Sequence, residues 1–299
     1  LENKVVLIKP KGGETKVTGF ENIPDAANLA LAGEDVPVGQ YSREIFDNLG
    51  ITDEVNKMEI NERTIGTAEK LKLVCVTATG TNNLDKEFLA KRNIAWRNVA
   101  GYSTECVAQH TFALLFYLLE KMPYYDNYVK SEKYVNDAMF THFANHFHEL
   151  CGMTWGIIGL GAIGRRVADL AKAFGCHVIY YSTSGNHTED GYERVDFDTL
   201  LKTSDIVSVH APLTEQTEQL MNAAAFSKMK NSAIFINVGR GPIVVEADLA
   251  DALEQGEIAA AGLDVLSAEP MREDNPLRCI KDSEKLVITP HIAWAAVET

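Results

Sequence analysis

The chain has 299 residues, of which 46% are apolar and 23% charged, and this composition excludes disordered and fibrous classes. Its 28 basic and 42 acidic side chains give a net charge of −14. Such an acidic surface repels phosphate backbones and anionic lipid, so we expect neither a nucleic-acid nor a membrane partner.

The lack of an apparent membrane helix or secretion signal, together with the cysteine spacing, predicts a cytoplasmic location. The longest apolar run, residues 112–119, is far shorter than the roughly 18 residues that a membrane helix needs. The first residues have neither the basic nor the apolar region of a secretion signal. The 5 cysteines show no C-x-x-C spacing, which is typical of reduced, mostly buried thiols in a cytosolic protein.

The first hundred residues show an irregular pattern. Between residues 20 and 60 only weak strand candidates occur, at 36–38 and 55–60. The other predicted features in this part are a strand at 5–8, a loop at 9–19, helices at 42–49 and 61–71, a strand at 73–77 and a turn at 79–83.

From residue 104 the pattern becomes regular. A predicted helix at 104–121 is apolar nearly all round, so it is buried between layers or between subunits, and a homodimer would hide its second face. An aromatic, His-rich connection follows at 123–149. Strands then alternate with helices, which predicts a doubly wound, mostly parallel sheet. The predicted segments are 155–158, 163–174, 177–181, 197–202, 206–210, 223–229, 233–238, 246–255, 261–263 and 286–288.

A glycine motif lies between the first of these strands and the first helix. Gly159 suits a tight turn, Gly161 lets the backbone approach a pyrophosphate, and Gly164 lets the helix pack on the strand. The helix N-terminus, at Ala162 and Ile163, presents free N–H groups and a partial positive charge to phosphates. The context predicts dinucleotide binding.

The next strand ends at Ser182, where an acidic residue usually holds the adenosine ribose. A hydroxyl can still bond the ribose or tolerate a 2′-phosphate. No Arg follows directly to hold that phosphate, so the choice between NAD and NADP stays open.

Three further stretches follow strand ends, which places them at the carboxyl edge of the sheet, where ligands bind. They are residues 237–241 with Arg240, residues 262–270 with Glu269, and residues 289–294 with His291. Taken singly, Arg240, Glu269 and His291 each have an ordinary structural explanation as a surface, turn or loop residue. The hypothesis that they are catalytic rests on their order and spacing.

With these stretches in place, the chain resembles the NAD(P)-dependent D-2-hydroxyacid dehydrogenases, and among them the glycerate dehydrogenase/hydroxypyruvate reductase type, over residues 72–294. The matching stretches are 78–85, 101–105, the glycine motif, 211–213 and the Arg, Glu and His blocks in family order. The resemblance implies an α/β fold with a Rossmann-type dinucleotide-binding domain at 101–291. A smaller flavodoxin-like substrate domain would comprise residues 1–100 with the tail 292–299.

The resemblance also implies catalytic roles. His291 would be the general acid that protonates the substrate oxygen as hydride reaches the carbonyl carbon, and an imidazole with a pKa near 6.5 suits that task. Glu269 would pair with His291 and favour its protonated form. Arg240 would bind the carboxylate and keto oxygen of the substrate through its planar fork. Hydroxypyruvate and D-glycerate are the favoured substrate pair.

Binding roles are implied in the same way. The backbone N–H groups of Thr79 and Gly80 would hold the substrate carboxylate, with Tyr102 close by, and Asp264 would face the nicotinamide. The expected cofactor is NAD, with NADP possible. The predicted cofactor-binding residues are Gly159, Gly161, Ala162, Ile163, Gly164, Ser182, Pro212, Val238 and Asp264.

Other interpretations differ in class. A non-enzymatic, NAD-sensing binding protein similar to the C-terminal-binding-protein corepressors would keep the same triad. Formate dehydrogenases carry Gln where this chain has Glu269, and phosphoglycerate dehydrogenases often carry a further regulatory domain. His142, His146 and His148 have metal-like spacing, but no carboxylate or Cys is placed to complete a site, so no metal is expected.

Overall fold

The computed structural model describes residues 60–65, 71–76, 79–81, 83–185 and 191–298. The chain divides into two compact units, Leu1–Tyr102 and Ser103–Thr299. The segments predicted before residue 60 lie outside the described residues. No helix in the described ranges is long and apolar enough to cross a membrane.

In the first unit, two parallel strands pair beside two short helices. The elements are α1 (Glu62–Ile65), β1 (Leu73–Val76), α2 (Lys86–Lys91) and β2 (Ala95–Asn98), with β1 and β2 in one parallel sheet. The Asp85 side chain caps α2 by accepting the Phe88 N–H at 2.9 Å. The sequence pattern did not predict α2 or β2. The helix predicted at 61–71 is too long at its end, because residue 71 is not helical.

The second unit holds the regular alternation of strands and helices. Its elements are α3 (Thr104–Leu119), α4 (Met122–Lys130), β3 (Thr154–Ile158), α5 (Ala162–Ala173), β4 (His177–Tyr181), β5 (Glu193–Arg194), α6 (Phe197–Thr203), β6 (Ile206–Val209), α7 (Ala223–Phe226), β7 (Ile234–Asn237), α8 (Glu246–Gln255), β8 (Ala260–Leu263) and β9 (Leu286–Ile288). The Rossmann-type α/β prediction is confirmed by this arrangement.

Seven parallel strands form one sheet in the order β5-β4-β3-β6-β7-β8-β9. Strands β3, β6, β7 and β8 are buried almost throughout, as expected for a sheet with helices on both faces. The strand order reverses between β3 and β6, which pair in the register Gly156↔Val207. Open α/β sheets bind ligands at the carboxyl ends of the strands at such a switch point.

Helix α3 is buried within its own unit rather than by a second copy. Half of its residues are buried, and Leu114 packs so closely on β8 that a Cβ added at Gly262 would lie 3.1 Å from the Leu114 Cβ. Its exposed positions, Glu105, Gln109 and Ala113, are not a continuous apolar face. The helix therefore gives no reason to expect a dimer, and the dimer prediction has to rest on another surface.

Three further details differ from the sequence expectations. The stretch predicted as an aromatic, His-rich connection contains α4, which begins after Lys121 at a left-handed φ of 53° and carries Pro123 in its first turn. Ala293 and Trp294 are buried in the core of the second unit, although the resemblance implies that residues 292–299 belong to the first. Among the cysteines only Cys176 is buried, and Cys75, Cys151 and Cys279 are exposed.

Candidate active site

The glycine turn after β3 forms a cradle that fits a pyrophosphate. Gly159 has φ +91°, and a Cβ there would lie 2.8 Å from the Ala211 Cα. A Cβ at Gly164 would lie 2.2 Å from the Gly159 carbonyl oxygen, so helix and turn touch directly. At Gly161, by contrast, a Cβ would have no described atom within 4 Å. The open space is therefore at the glycine predicted to face the phosphates.

The N-terminus of α5 supplies donors to this cradle. The first backbone bond of the helix runs from Arg165 N–H to the Gly161 carbonyl, so the N–H groups of Ala162, Ile163 and Gly164 have no acceptor inside the helix. Gly161 has no side chain to cap them, and Gly161 and Ala162 are exposed. These residues suit a dinucleotide pyrophosphate, which accepts such N–H bonds.

The other predicted cofactor residues lie at neighbouring strand ends. Ser182 directly follows β4 and is 4% exposed, Pro212 is exposed after β6, and Val238 is buried after β7. The Pro212 carbonyl accepts the Thr217 hydroxyl at 2.7 Å, which fixes the loop. All three positions are at the carboxyl edge predicted for them, and their contacts with cofactor stay predictions.

Arg240 lies on a loop that Asn237 organises. The buried Asn237 amide donates to the Arg240 carbonyl at 3.0 Å and accepts the Gly239 N–H at 3.0 Å. The Arg240 guanidinium donates to the Gly239 carbonyl at 2.8 Å. A Cβ at Gly241 would lie 1.9 Å from the Leu266 carbonyl carbon, so only glycine lets this loop touch the loop that leads to Glu269.

Glu269 and His291 form a hydrogen-bonded pair. Glu269 Oε2 lies 2.7 Å from His291 Nδ1, and Glu269 Oε1 accepts the Leu266 N–H at 2.7 Å. Burial alone would raise the pKa of Glu269. The hydrogen bonds from His291 and Leu266 and the charges of His291 and Arg240 outweigh burial, so the Glu269 pKa lies below its ordinary value. The charges of Arg240 and His291 therefore both act on the Glu269 carboxylate.

The carboxylate of Asp264 organises the turn that carries His291. Asp264 is 1% exposed and accepts the Ile292 N–H at 2.9 Å, the Ala293 N–H at 2.8 Å and the Thr289 hydroxyl at 2.6 Å. The Asp264 carbonyl accepts the His291 N–H at 2.9 Å. These bonds hold His291 at φ +54°, a left-handed conformation that is uncommon for a residue with a side chain.

Thr79, Gly80 and Tyr102 belong to the first unit. Asn98 Nδ2 donates to the Thr79 carbonyl at 2.8 Å, and the Thr79 hydroxyl donates to the Val99 carbonyl at 3.4 Å. The Thr79–Gly80 backbone is thus tied to the end of β2. The substrate contacts expected of Thr79, Gly80 and Tyr102 stay predictions.

Sequence reasoning missed residues that support the predicted site loops within each unit. Asn98, Asn237 and Thr289 act through hydrogen bonds to loops, and no short motif marks such contacts. The Asp264 carboxylate accepts hydrogen bonds from the 289–293 turn, a role that the sequence did not indicate, and its predicted place beside the nicotinamide stays a prediction. His142, which has metal-like spacing in the sequence, stacks on Tyr128 with ring centroids 3.7 Å apart and bonds the Tyr124 hydroxyl at 2.8 Å.

Comparison with known proteins gives consistent results. Residues 112–293 match the family described as D-isomer specific 2-hydroxyacid dehydrogenase, NAD binding domain. The chain is 37% identical over 244 residues to the glycerate dehydrogenase of Methylorubrum extorquens, a match that covers 82% of this chain and 76% of the relative. It is 35% identical over 283 residues to the hydroxypyruvate reductase of Blautia hydrogenotrophica, a match that covers 92% of this chain and 87% of the relative.

A solved structure shares the fold as well. The D-lactate dehydrogenase of Aquifex aeolicus, crystallised with NAD and lactic acid, superposes with a TM-score of 0.71 and 29% sequence identity. The match covers 80% of this chain and 75% of that structure.

Proposed function

The chain belongs to the D-isomer specific 2-hydroxyacid dehydrogenase family, and on that premise we propose that it interconverts hydroxypyruvate and D-glycerate with a nicotinamide cofactor. Family membership makes it an oxidoreductase that acts on the CH–OH group of 2-hydroxyacids and uses NAD. The choice of hydroxypyruvate among keto acids is the proposal. It is supported by the names of two relatives and by the stretches that begin at Tyr102 and His291.

The observation that carries the mechanism is the His291–Glu269 pair. Both Glu269 oxygens accept hydrogen bonds, one from Leu266 N–H and one from His291 Nδ1, and the lowered Glu269 pKa keeps the carboxylate ionised at neutral pH. An ionised carboxylate only accepts, so Nδ1 carries a proton. The exchangeable proton of the imidazole is then on Nε2, the nitrogen that would face the substrate oxygen.

Proton and hydride reach different atoms of the keto acid. The hydride for the carbonyl carbon is the chemistry that NADH supplies when it is bound. His291 Nε2 gives its proton to the carbonyl oxygen, and the C=O double bond becomes the CH–OH of the product. The Glu269 carboxylate stabilises the imidazolium before the transfer, and Arg240 stabilises negative charge on the oxygen as it develops. In the reverse direction the neutral Nε2 takes the hydroxyl proton.

Steady-state rates test the substrate. Hydroxypyruvate, pyruvate, glyoxylate and phenylpyruvate are each supplied with NADH and with NADPH, and nicotinamide absorbance is followed. We expect the highest kcat/KM with hydroxypyruvate. A higher value for another keto acid overturns the substrate, and cofactor binding without turnover of any keto acid would favour the NAD-sensing class.

His291→Ala tests the catalytic assignment. We expect kcat to fall by about 10²–10⁴-fold, the usual contribution of general acid–base catalysis, while NADH affinity stays near the wild-type value. His177→Ala is the matched control, because His177 is 60% exposed and begins β4, at the sheet edge opposite the carboxyl ends of the strands. Unchanged turnover in His291→Ala would overturn the assignment.

We also propose that the chain forms a homodimer, through the surface of residues 134–147. Large apolar side chains there are exposed, with Val135 at 80%, Phe140 at 90% and Phe143 at 70%. The loop is held in shape by its own bonds, including Tyr134 hydroxyl to Phe140 carbonyl at 2.6 Å. Asp137, the only Asp, Glu, Lys or Arg in the segment, accepts the Tyr128 hydroxyl at 2.5 Å.

The near absence of charge on this surface favours a second copy of the chain as its binding partner. Two chains of net charge −14 repel each other overall, and this apolar segment, with Asp137 as its one charged side chain, adds little to that repulsion and suits a self-complementary contact. Light scattering during size exclusion should give a dimer mass, and Phe140→Ser with Phe143→Ser should give a monomer. Val297→Ser removes another fully exposed apolar side chain and should leave the dimer intact. A wild-type monomer would overturn the proposal.

A further inference from the structure

His110 lies on α3, far along the chain from Arg240, Glu269 and His291, yet it contacts the network beneath His291. His110 Nε2 is 2.9 Å from the Thr289 hydroxyl and 3.5 Å from Asp264 Oδ1. Its side chain is 18% exposed, and that of Asp264 is 1% exposed. The imidazole therefore lies beside a buried carboxylate.

The direction of each hydrogen bond in this network can be derived. Asp264 accepts backbone N–H bonds from Ile292 on Oδ1 and from Ala293 on Oδ2, so both oxygens act as acceptors. The Thr289 hydroxyl, 2.6 Å from Oδ1, donates its single proton there. It must then accept from His110 at 2.9 Å, which places a proton on His110 Nε2.

This order gives His110 control over the orientation of the Thr289 hydroxyl. The hydroxyl has a second acceptor in reach, the Leu263 carbonyl at 3.4 Å. A donor at Nε2 occupies a lone pair of the Thr289 oxygen and favours the orientation in which its proton points to Asp264. Without that donor the hydroxyl is free to turn, and a buried carboxylate oxygen would lose one of its partners.

Loss of the hydrogen bond from Thr289 to Asp264 would affect the catalytic His291 through the backbone. Asp264 ties the two N–H groups that follow His291, and its carbonyl ties the N–H of His291 itself. Those bonds hold the left-handed φ of +54° at His291, and that conformation presents Nδ1 to Glu269. A turn in an uncommon backbone conformation needs such support to persist.

We propose that His110 is a positioning residue that acts on the reaction through Thr289, Asp264 and the His291 turn. The inference rests on the proposed role of His291. It gives α3, which lies outside the three motif blocks, a part in aligning the general acid His291. Among the contacts of the described residues, those of His110 are with Thr289 and Asp264 rather than with the His291–Glu269 pair.

The test compares His110→Leu, which fills the space without a donor, with His110→Gln, whose amide N–H extends to about the position of Nε2. We expect His110→Leu to lower kcat by about tenfold, the effect of losing one hydrogen bond near a charge, with little change in NADH Kd. His110→Gln should recover most of that loss. An equal fall of kcat in both variants overturns the proposal.

A double-mutant cycle separates positioning from a general effect on the fold. In the His291→Ala background, His110→Leu should leave the residual rate unchanged, because its effect passes through His291. An equal fold-change in both backgrounds, or a full wild-type kcat in His110→Leu, contradicts the proposal. Wild-type turnover is measured first. An inactive wild type would count against the proposed function. An active wild type whose His110 variants keep the wild-type kcat would count against the role of His110 alone.

Discussion

Gly241 and Leu266 approach so closely that a Cβ on Gly241 would lie 1.9 Å from the Leu266 carbonyl carbon. The contact joins the loop of Arg240 to the loop of Glu269. Because the obstruction is backbone rather than a flexible side chain, the loops must move apart to admit any other residue. The relative placement of the two charged side chains depends on this contact.

Gly241→Ala should therefore lower both stability and activity. We expect a fall of about 1–3 kcal/mol in the free energy of unfolding, as for overpacking. The kcat/KM for the keto acid should fall about 100-fold, as when a reacting group is misplaced by about an ångström. Urea unfolding and initial rates measure the two effects. Ser267→Ala, an exposed change on the facing loop, should alter neither, and a wild-type kcat/KM in Gly241→Ala would contradict this prediction.

Alanine substitutions at two glycines of the cofactor turn should have different effects, one on NADH binding and the other on stability. Gly161→Ala meets no described atom within 4 Å, so the fold should tolerate it, while NADH should bind about tenfold more weakly through the loss of close approach. Gly164→Ala places a Cβ 2.2 Å from the Gly159 carbonyl oxygen and should destabilise the fold by about 1–3 kcal/mol. Calorimetric titration and thermal unfolding distinguish the two, and equal stability losses would refute the distinction.

Glu269→Gln should change the pH dependence of keto-acid reduction. The lowered pKa of Glu269 keeps its charge throughout the neutral range, and that charge stabilises protonated His291. With a neutral amide, the pH above which kcat/KM declines should move down by about one to two units. Rates between pH 5 and 9 measure the shift. Glu273→Gln, exposed on the same loop, should keep the wild-type profile, and an unshifted profile for Glu269→Gln would exclude the pairing.

His210 should make stability depend on pH in mild acid. It follows β6, bonds Ser208 through Nε2 at 2.9 Å, and its Nδ1 is buried without a partner among the residues described. Burial lowers the pKa of His210 from 6.5 to about 3. The folded state therefore keeps His210 neutral while the unfolded chain takes up a proton below pH 6.5. The stability contribution is complete above that pH and is lost progressively as the pH falls toward 3.

The measurement is urea unfolding at pH 7, 6 and 5 for the wild type and His210→Gln. The wild type should lose about 1.4 kcal/mol per pH unit below pH 6.5 relative to the variant. His177→Gln, at an exposed site, should follow the wild type. Parallel curves for wild type and His210→Gln would show that His210 does not titrate in this way.

Much of the second unit was predictable from the sequence because its signals are local. Buried strands such as β6 and β7 are short apolar runs, and the glycine spacing after β3 marks a turn that only small residues permit. Local signals failed where structure depends on distant partners. Strand β5 has two residues and exists because it pairs with β4, and α4 is a short helix with none of its residues buried.

The sequence by itself determined the family, the α/β class and the three blocks that carry Arg240, Glu269 and His291, because residue type and spacing along the chain specify them. Only the tertiary structure decided that Asp264 supports the His291 turn, that Thr289 and His110 complete its hydrogen bonds, and that Gly241 touches Leu266. The physical reason is that hydrogen bonds and close contacts depend on direction and distance. Parallel strand pairing brings together loops that lie far apart in the chain.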